Sequence, residues 1–401
     1  MGLKLYITHM NKFNHPLMQS NFASSDFKNV SDFLKKNNVL TQSKKVSQFE
    51  KKWSKWLGVK YSIFLNSGSS ANYLSLLALK LLYKDGGEVI VPTLTWVSDV
   101  VAVINNGFKP VFADINLNNL CMSEREIEKK ITSKTKAIFL THAQGFNGLS
   151  KNLIKIIKKK KIILIEDVCE SHGATFQGKK LGTYGLISNF SFYYAHHMST
   201  IEGGMVCTNN RKIYETVRIL RGHGMLRESG NKFFEKKIIK KNKMLSPKFI
   251  FLYPGFNMRN NEISAIIGIN QLKRLDKNNK KRKDNFKTFL EHIDHTKFKN
   301  DFDIEGSCNY AFPLILRQKS FTLRNRLENH LEKNGIEFRR GNAGGGNQLR
   351  QPYLQKITKN INLRNFPNVE HIHHFGYYIG NYPSLSKKRI IQLCSIINKL
   401  K

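Results

Sequence analysis

The stretch Tyr61-Ser62-Ile63-Phe64-Leu65-Asn66-Ser67-Gly68-Ser69-Ser70-Ala71-Asn72 joins a short apolar run to a turn of small polar residues. The next residues, Asn72–Tyr83, set Leu74, Leu77 and Leu81 on one face of a helix. Strand, small-residue turn and helix then recur. Val89–Val91 reads as a strand, Val97–Ile104 as a helix, and Pro110–Asp114 and Lys136–Thr141 as strands. Leu153–Ile157 belongs to a helix, and Ile162–Ile165, Phe190–Tyr194 and Met205–Thr208 are further strands. Such alternation predicts an α/β fold with a mixed, mostly parallel sheet between helices. Residues 230–260 read as a basic, loop-rich segment, and Asn261–Leu290 as a long helix. We divide the chain into a large domain, 1–255, with an N-terminal arm, and a smaller α+β C-terminal domain, 256–401.

Composition narrows the function classes. The 401 residues hold 66 Lys or Arg against 29 Asp or Glu, a formal net charge of +37. At 40% hydrophobic and 11% aromatic the chain is not a disordered polycation. Its lysine runs, Lys158–Lys161, Lys236–Lys243 and Lys280–Lys283, lack interleaved aromatics, so we read a solvated surface and no nucleic-acid partner. No run reaches the ~18 apolar residues of a membrane span. The start, MGLKLYITHMNKF, has no signal-peptide core, and Tyr6 breaks the myristoylation pattern. Cysteines 121, 169, 207, 308 and 394 are scattered, with no zinc or iron–sulfur spacing. We expect reduced thiols in a cytoplasm, and no metal site.

Four features fall at predicted C-terminal strand ends, where open α/β sheets place ligands. Asn66–Ala71 suits an anion at a helix N-terminus, although it reads equally well as an ordinary cap. Glu166-Asp167 can hold a protonated ring nitrogen, or be a polar strand end. Trp96 can stack on a planar cofactor or plug the core. In SFYYAHHMSTIEGG, 191–204, adjacent histidines before a Gly pair suit a general base near neutrality better than a metal pair, since neighbours on a strand face opposite ways.

NSGSSAN at 66–72, VPTLTW at 91–96, EDVCESHGA at 166–174 and SFYYAHHMSTIEGG at 191–204 together resemble the PLP-dependent sugar aminotransferases of the DegT/DnrJ/StrS type. LTQSKKVSQFEKKWSKWLGVKY at 40–61 and GFNMRNNEISAIIGINQLKRLD at 255–276 are similar to the same family. The resemblance implies the aspartate-aminotransferase (type I) fold and a homodimer with shared active sites. It places Ser69, Ser70 and Ser191 on the cofactor phosphate, Trp96 on the pyridine ring and Asp167 on its nitrogen. Glu170 would also lie at the cofactor, and Asn257 would reach the phosphate from the neighbouring subunit.

One departure redirects the reading. Six residues before Glu202, where the family carries its Schiff-base lysine, stands His196. An imidazole cannot replace that amine. The change resembles the histidine-containing 3-dehydratase branch that acts on GDP-4-keto-6-deoxymannose in the colitose pathway. Arg221, His223, Gly224 and Arg227 fit that branch, and residues 221–237 lack the cysteines of the iron–sulfur branch. The branch implies pyridoxamine phosphate held non-covalently, His196 as base, loss of the sugar 3-hydroxyl, and L-glutamate to restore the amine. His223 would assist as a second catalytic group. Arg221, Arg227 and Arg339 would bind the nucleotide sugar, with Gly341–Gly346 closing over it. The rivals are a nucleotide-sugar aminotransferase using another lysine, Lys179 or Lys180 being nearest, and a non-catalytic PLP-fold sensor.

Overall fold

The computed structural model describes residues 13–36, 38–82, 86–357 and 361–401. The start of the chain with Tyr6, and Tyr83 at the end of the expected helix, lie outside them. Helices α1 (Ser24–Leu34) and α2 (Lys44–Leu57) precede β1 (Tyr61–Leu65), α3 (Gly68–Leu82), β2 (Glu88–Pro92), α4 (Val97–Asn105) and β3 (Lys109–Ala113). Then come α5 (Glu124–Lys130), β4 (Thr135–Thr141), α6 (Lys151–Lys160) and β5 (Ile163–Asp167). A small hairpin, β6 (Thr175–Phe176) and β7 (Lys179–Lys180), leads to β8 (Ile187–Ser191) and β9 (Gly204–Thr208). Helices α7 (Arg211–Arg221), α8 (Lys232–Lys241) and α9 (Glu262–His292) come next. The remainder holds β10 (Ala311–Ile315), α10 (Phe321–Lys333), β11 (Phe338–Arg340), α11 (Pro367–Phe375), β12 (Gly376–Gly380) and α12 (Lys387–Asn398).

Seven strands form one sheet in the order β1-β9-β8-β5-β4-β2-β3. The β8-β5-β4-β2-β3 pairings are parallel, and β9 runs antiparallel to both its neighbours. Apart from the edge strand β3, its strands are buried along almost their whole length, which explains the unbroken apolar runs. An antiparallel sheet, β10-β12-β11, belongs to the C-terminal part. Helix α9, 31 residues long, spans both parts. Near one end Gly268 admits the Phe49 ring of α2, with no room for a Cβ; near the other Phe289 stacks on Phe312 of β10 at 4.5 Å.

The structure moves three boundaries. Helix α3 begins at Gly68, so the small-residue turn is its first turn. Strand β8 begins at Ile187 and ends at Ser191, leaving Tyr193 and Tyr194 outside. The polar pair Ser188 and Asn189 hid it: inside the protein they bond to the Gly182 carbonyl and the Ser75 hydroxyl, each at 2.7 Å. The segment expected as loop carries α8, whose first turn is capped by the Asn231 side chain.

Candidate active site

The C-terminal ends of β1, β2, β5 and β8 meet around the first turn of α3. There the early N–H groups have no acceptor within the helix, and the dipole favours an anion. Ser67 Oγ bonds to Ser70 Oγ and accepts from the Ser70 amide, holding the turn. Ser191 lies against it: a Cβ on Gly68 would come within 2.6 Å of Ser191 Cβ and 3.0 Å of its Oγ. Ser69 is exposed at the same turn. Gly68, which leaves room for Ser191, and the serines at 67, 69, 70 and 191 thus make a polar cradle suited to a phosphate.

Asp167 ends β5. It is buried, accepts from Asn72 Nδ2 at 3.0 Å and from the Cys169 amide at 2.8 Å, and has no Lys or Arg in ion-pair contact among the described residues. Asn72 also donates to Asp99, 2.6 Å away. Asp99 is sealed from solvent and receives hydrogen bonds from Thr95 and Thr141. Burial, reinforced by the negative charge of Asp167, holds the Asp99 carboxyl well above the usual carboxylate range. Asp99 thus lies behind Asp167, bridged to it by the Asn72 amide. Sequence reasoning missed Asn72 and Asp99, though each sits one helical turn beyond a residue it chose, Ser69 and Trp96. Glu166, its neighbour, points the other way. It accepts from the amides of Gly182, Tyr184 and Gly185 and from His142, and is structural.

Trp96 stands at the N-cap of α4 and is 56% exposed. It is not a core plug. His196 lies beyond β8 in the turn before Glu202. Its Nδ1 is buried without a partner among the described residues, and its ring neighbours Tyr193, Tyr310 and His172. Burial pulls it down to about 4, against the opposing pull of Asp167, so it is a neutral imidazole at pH 7 rather than the near-neutral base expected. His197, buried beside it, bonds to the Cys308 carbonyl at 2.8 Å and stacks on His172. Glu170 accepts from the Gln144 amide at 2.7 Å and from Tyr310 at 3.3 Å. Burial pushes its carboxyl up to about 7.

The other chosen residues lie farther out. His223 holds a left-handed backbone (φ 62°) and donates its amide to Phe256. Asn257 is exposed and accepts from the Arg259 amide. Arg227 is exposed beside Phe249, and Arg339 is exposed on β11, opposite Tyr378, whose ring meets Tyr310. Arg221 is a correction. Its side chain is 2% exposed and its Nη1 is taken by Glu50 at 2.7 Å and the Phe64 carbonyl, so it serves α2 and β1 and not a ligand. Of the two rival lysines, Lys180 donates to the Trp56 carbonyl at 2.8 Å and Lys179 is exposed on β7.

A polar cradle, an aromatic face and a buried carboxylate without a cation fit a phosphorylated, protonated pyridine. The model of the DegT/DnrJ/EryC1/StrS aminotransferase family matches residues 21–398. GDP-4-keto-6-deoxy-D-mannose 3-dehydratase of Escherichia coli O55:H7 is 33% identical over 376 residues, 92% of this chain and 95% of the relative. A solved E. coli GDP-4-keto-6-deoxy-D-mannose-3-dehydratase with bound hydrated PLP superposes with a TM-score of 0.86 at 31% identity, over 97% of this chain and all of that one. Another structure of such an enzyme, with a trapped PLP-glutamate geminal diamine, has a TM-score of 0.85 at 31% identity, over 97% and 100%.

Proposed function

The chain belongs to the DegT/DnrJ/EryC1/StrS aminotransferase family, and we propose that within it this protein is a dehydratase. It removes the 3-hydroxyl of a nucleotide-linked 4-keto-6-deoxyhexose, GDP-4-keto-6-deoxymannose, in deoxysugar and O-antigen synthesis. The observation that carries this is His196, a neutral imidazole in the slot where the family keeps its lysine, with the cradle, Trp96 and Asp167 all retained.

Bound as pyridoxamine phosphate, the cofactor supplies an amine and an electron-accepting ring, and L-glutamate restores the amine. Ser69, Ser70 and Ser191 would hold its phosphate, Trp96 would cover a ring face, and Asp167 would take the ring N–H. Asp99, whose carboxyl burial holds well above the usual carboxylate range, backs Asp167 through Asn72. His196 accepts the proton, and having no primary amine it cannot trap the cofactor. Glu170 carries a proton into the neutral range at the edge of the site. We assign Arg227 and Arg339, both exposed, to the nucleotide and His223 to a second catalytic role. We read the assembly as a homodimer in which Asn257 reaches the partner's cradle, and place it in the cytoplasm, where its five free thiols stay reduced.

The test mixes purified protein with PLP, L-glutamate and GDP-4-keto-6-deoxymannose. We expect ammonia and a 3-deoxy-4-keto sugar, both abolished by His196→Asn with PLP binding kept. A 4-amino sugar without ammonia would make the protein a transaminase.

A further inference from the structure

Residues 341–348 of the C-terminal part carry the densest run of left-handed backbone among the described residues: Gly341, Ala343, Gly344, Gly345 and Gly346 all have positive φ. Strain of this kind persists where the surroundings hold it. What holds it is the end of β2. Leu94 bridges Asn347, the Gln348 amide donates to the Thr93 carbonyl at 2.9 Å, and Gln348 Nε2 donates to the Thr95 carbonyl at 2.9 Å. Gln348 is 1% exposed, and its Oε1 accepts from Tyr353. Gly344 closes the contact. A Cβ there would stand 2.7 Å from the Thr95 carbonyl oxygen, 3.1 Å from Trp96 Cα and 3.3 Å from Trp96 Cε3. Only hydrogen fits.

We propose that Gly344 and Gln348 form a clasp that sets the position of Trp96, making this loop a positioning element for the ring-stacking residue. The proposal rests on the reading that Trp96 covers the cofactor ring. Thr95 is tethered through its hydroxyl to Asp99 and Thr141, so a methyl at 344 displaces the Trp96 side of the contact. The loop also reaches the opposite side of the site. Asn342 Nδ2 bonds to Gln144 Oε1 at 2.6 Å, and Gln144 gives its amide to Glu170.

Gly345 provides the control. Its φ, +91°, matches the +89° of Gly344, yet a Cβ there would meet only Gln351 Nε2 at 3.9 Å. Gly344→Ala and Gly345→Ala therefore place a methyl at nearly the same positive φ, and the first alone touches Trp96. We would titrate PLP into the cofactor-free full-length protein and follow tryptophan quenching and the cofactor absorbance. Gly344→Ala is expected to weaken binding by about tenfold, the order of one aromatic contact, and Gly345→Ala by less than about twofold. In a Trp96→Ala background the difference between the two should vanish. Should Gly344→Ala fail to fold, Gln348→Met removes the donor to Thr95 and is expected to act in the same direction. Equal affinities for the two glycine variants, with Trp96→Ala weakened, overturn the clasp and leave the stacking intact. Unchanged affinity in Trp96→Ala overturns the stacking and the clasp with it.

Discussion

A protonated carboxyl at neutral pH needs a reason, and at Glu170 the reason is burial between the Gln144 amide and Tyr310. The unfolded chain releases this proton near 4.5, whereas the folded chain keeps it to about 7. Between those values the native state binds more protons, so stability falls as pH rises. Glutamine at 170 has no proton to lose. The melting temperature of Glu170→Gln should therefore gain on that of the wild type from pH 4.5 to 7, and the gap should level off above. A gap constant from about pH 5 to 8, measured on cofactor-free protein, would mean the carboxyl titrates as an exposed one. His196 works in the opposite sense. Its pKa, lowered to about 4, leaves the base form intact across the whole range in which Glu170 changes state. Removing a positioned base usually costs about 100- to 10,000-fold in rate, and His196→Asn should lose at least that, with PLP affinity unchanged.

Elements join through residues that look functional in the sequence. Arg221 is the plainest case, lying in a motif whose resemblance assigns it to substrate. It ends α7, and from there binds Glu50 of α2, which itself accepts from the Phe64 amide of β1. Breaking a buried pair leaves an unpaired charge, typically about 3–5 kcal/mol. Arg221→Leu should lower unfolding free energy by that order and leave the substrate KM near wild type. A raised KM with an unchanged denaturation midpoint would return Arg221 to the substrate. No spacing rule distinguishes these roles, because both need an arginine at one place and differ only in which way it points. Strands β1, β2 and β5 were legible for the opposite reason: buried on both faces, they are apolar throughout most of their length. The polar interior of β8 has no such signature, since Ser188 and Asn189 are satisfied by partners outside the strand. Asn72 and Asp99 escaped likewise. Their importance lies in a contact with Asp167 that only folding creates.

Across the whole molecule, one apolar core runs from the seven-stranded sheet to the three-stranded one, with α9 packed along both. The lysine-rich charge takes no visible part in it: Lys158, Lys159 and Lys160 lie exposed at the end of α6, where cations suit the helix dipole. Apolar surface is left over elsewhere. Phe249, Phe251 and Phe256, all more than half exposed, lie in the segment that leads to Asn257. An isologous dimer would bury such a face on both subunits and carry each Asn257 to the other's cradle. Sharing of this kind has a consequence that sequence identity alone does not. If His196 acts in one subunit and Asn257 serves the neighbour, His196→Asn and Asn257→Ala are each inactive alone. In a mixed dimer one site carries both defects and the other carries neither. Unfolding and refolding the two variants together at equal amounts should then make about half the dimers mixed and restore about a quarter of wild-type activity. Each variant refolded alone should recover none. Failure of the mixture to exceed its parts, with a dimer seen by sedimentation, would place all the working groups of a site on one chain.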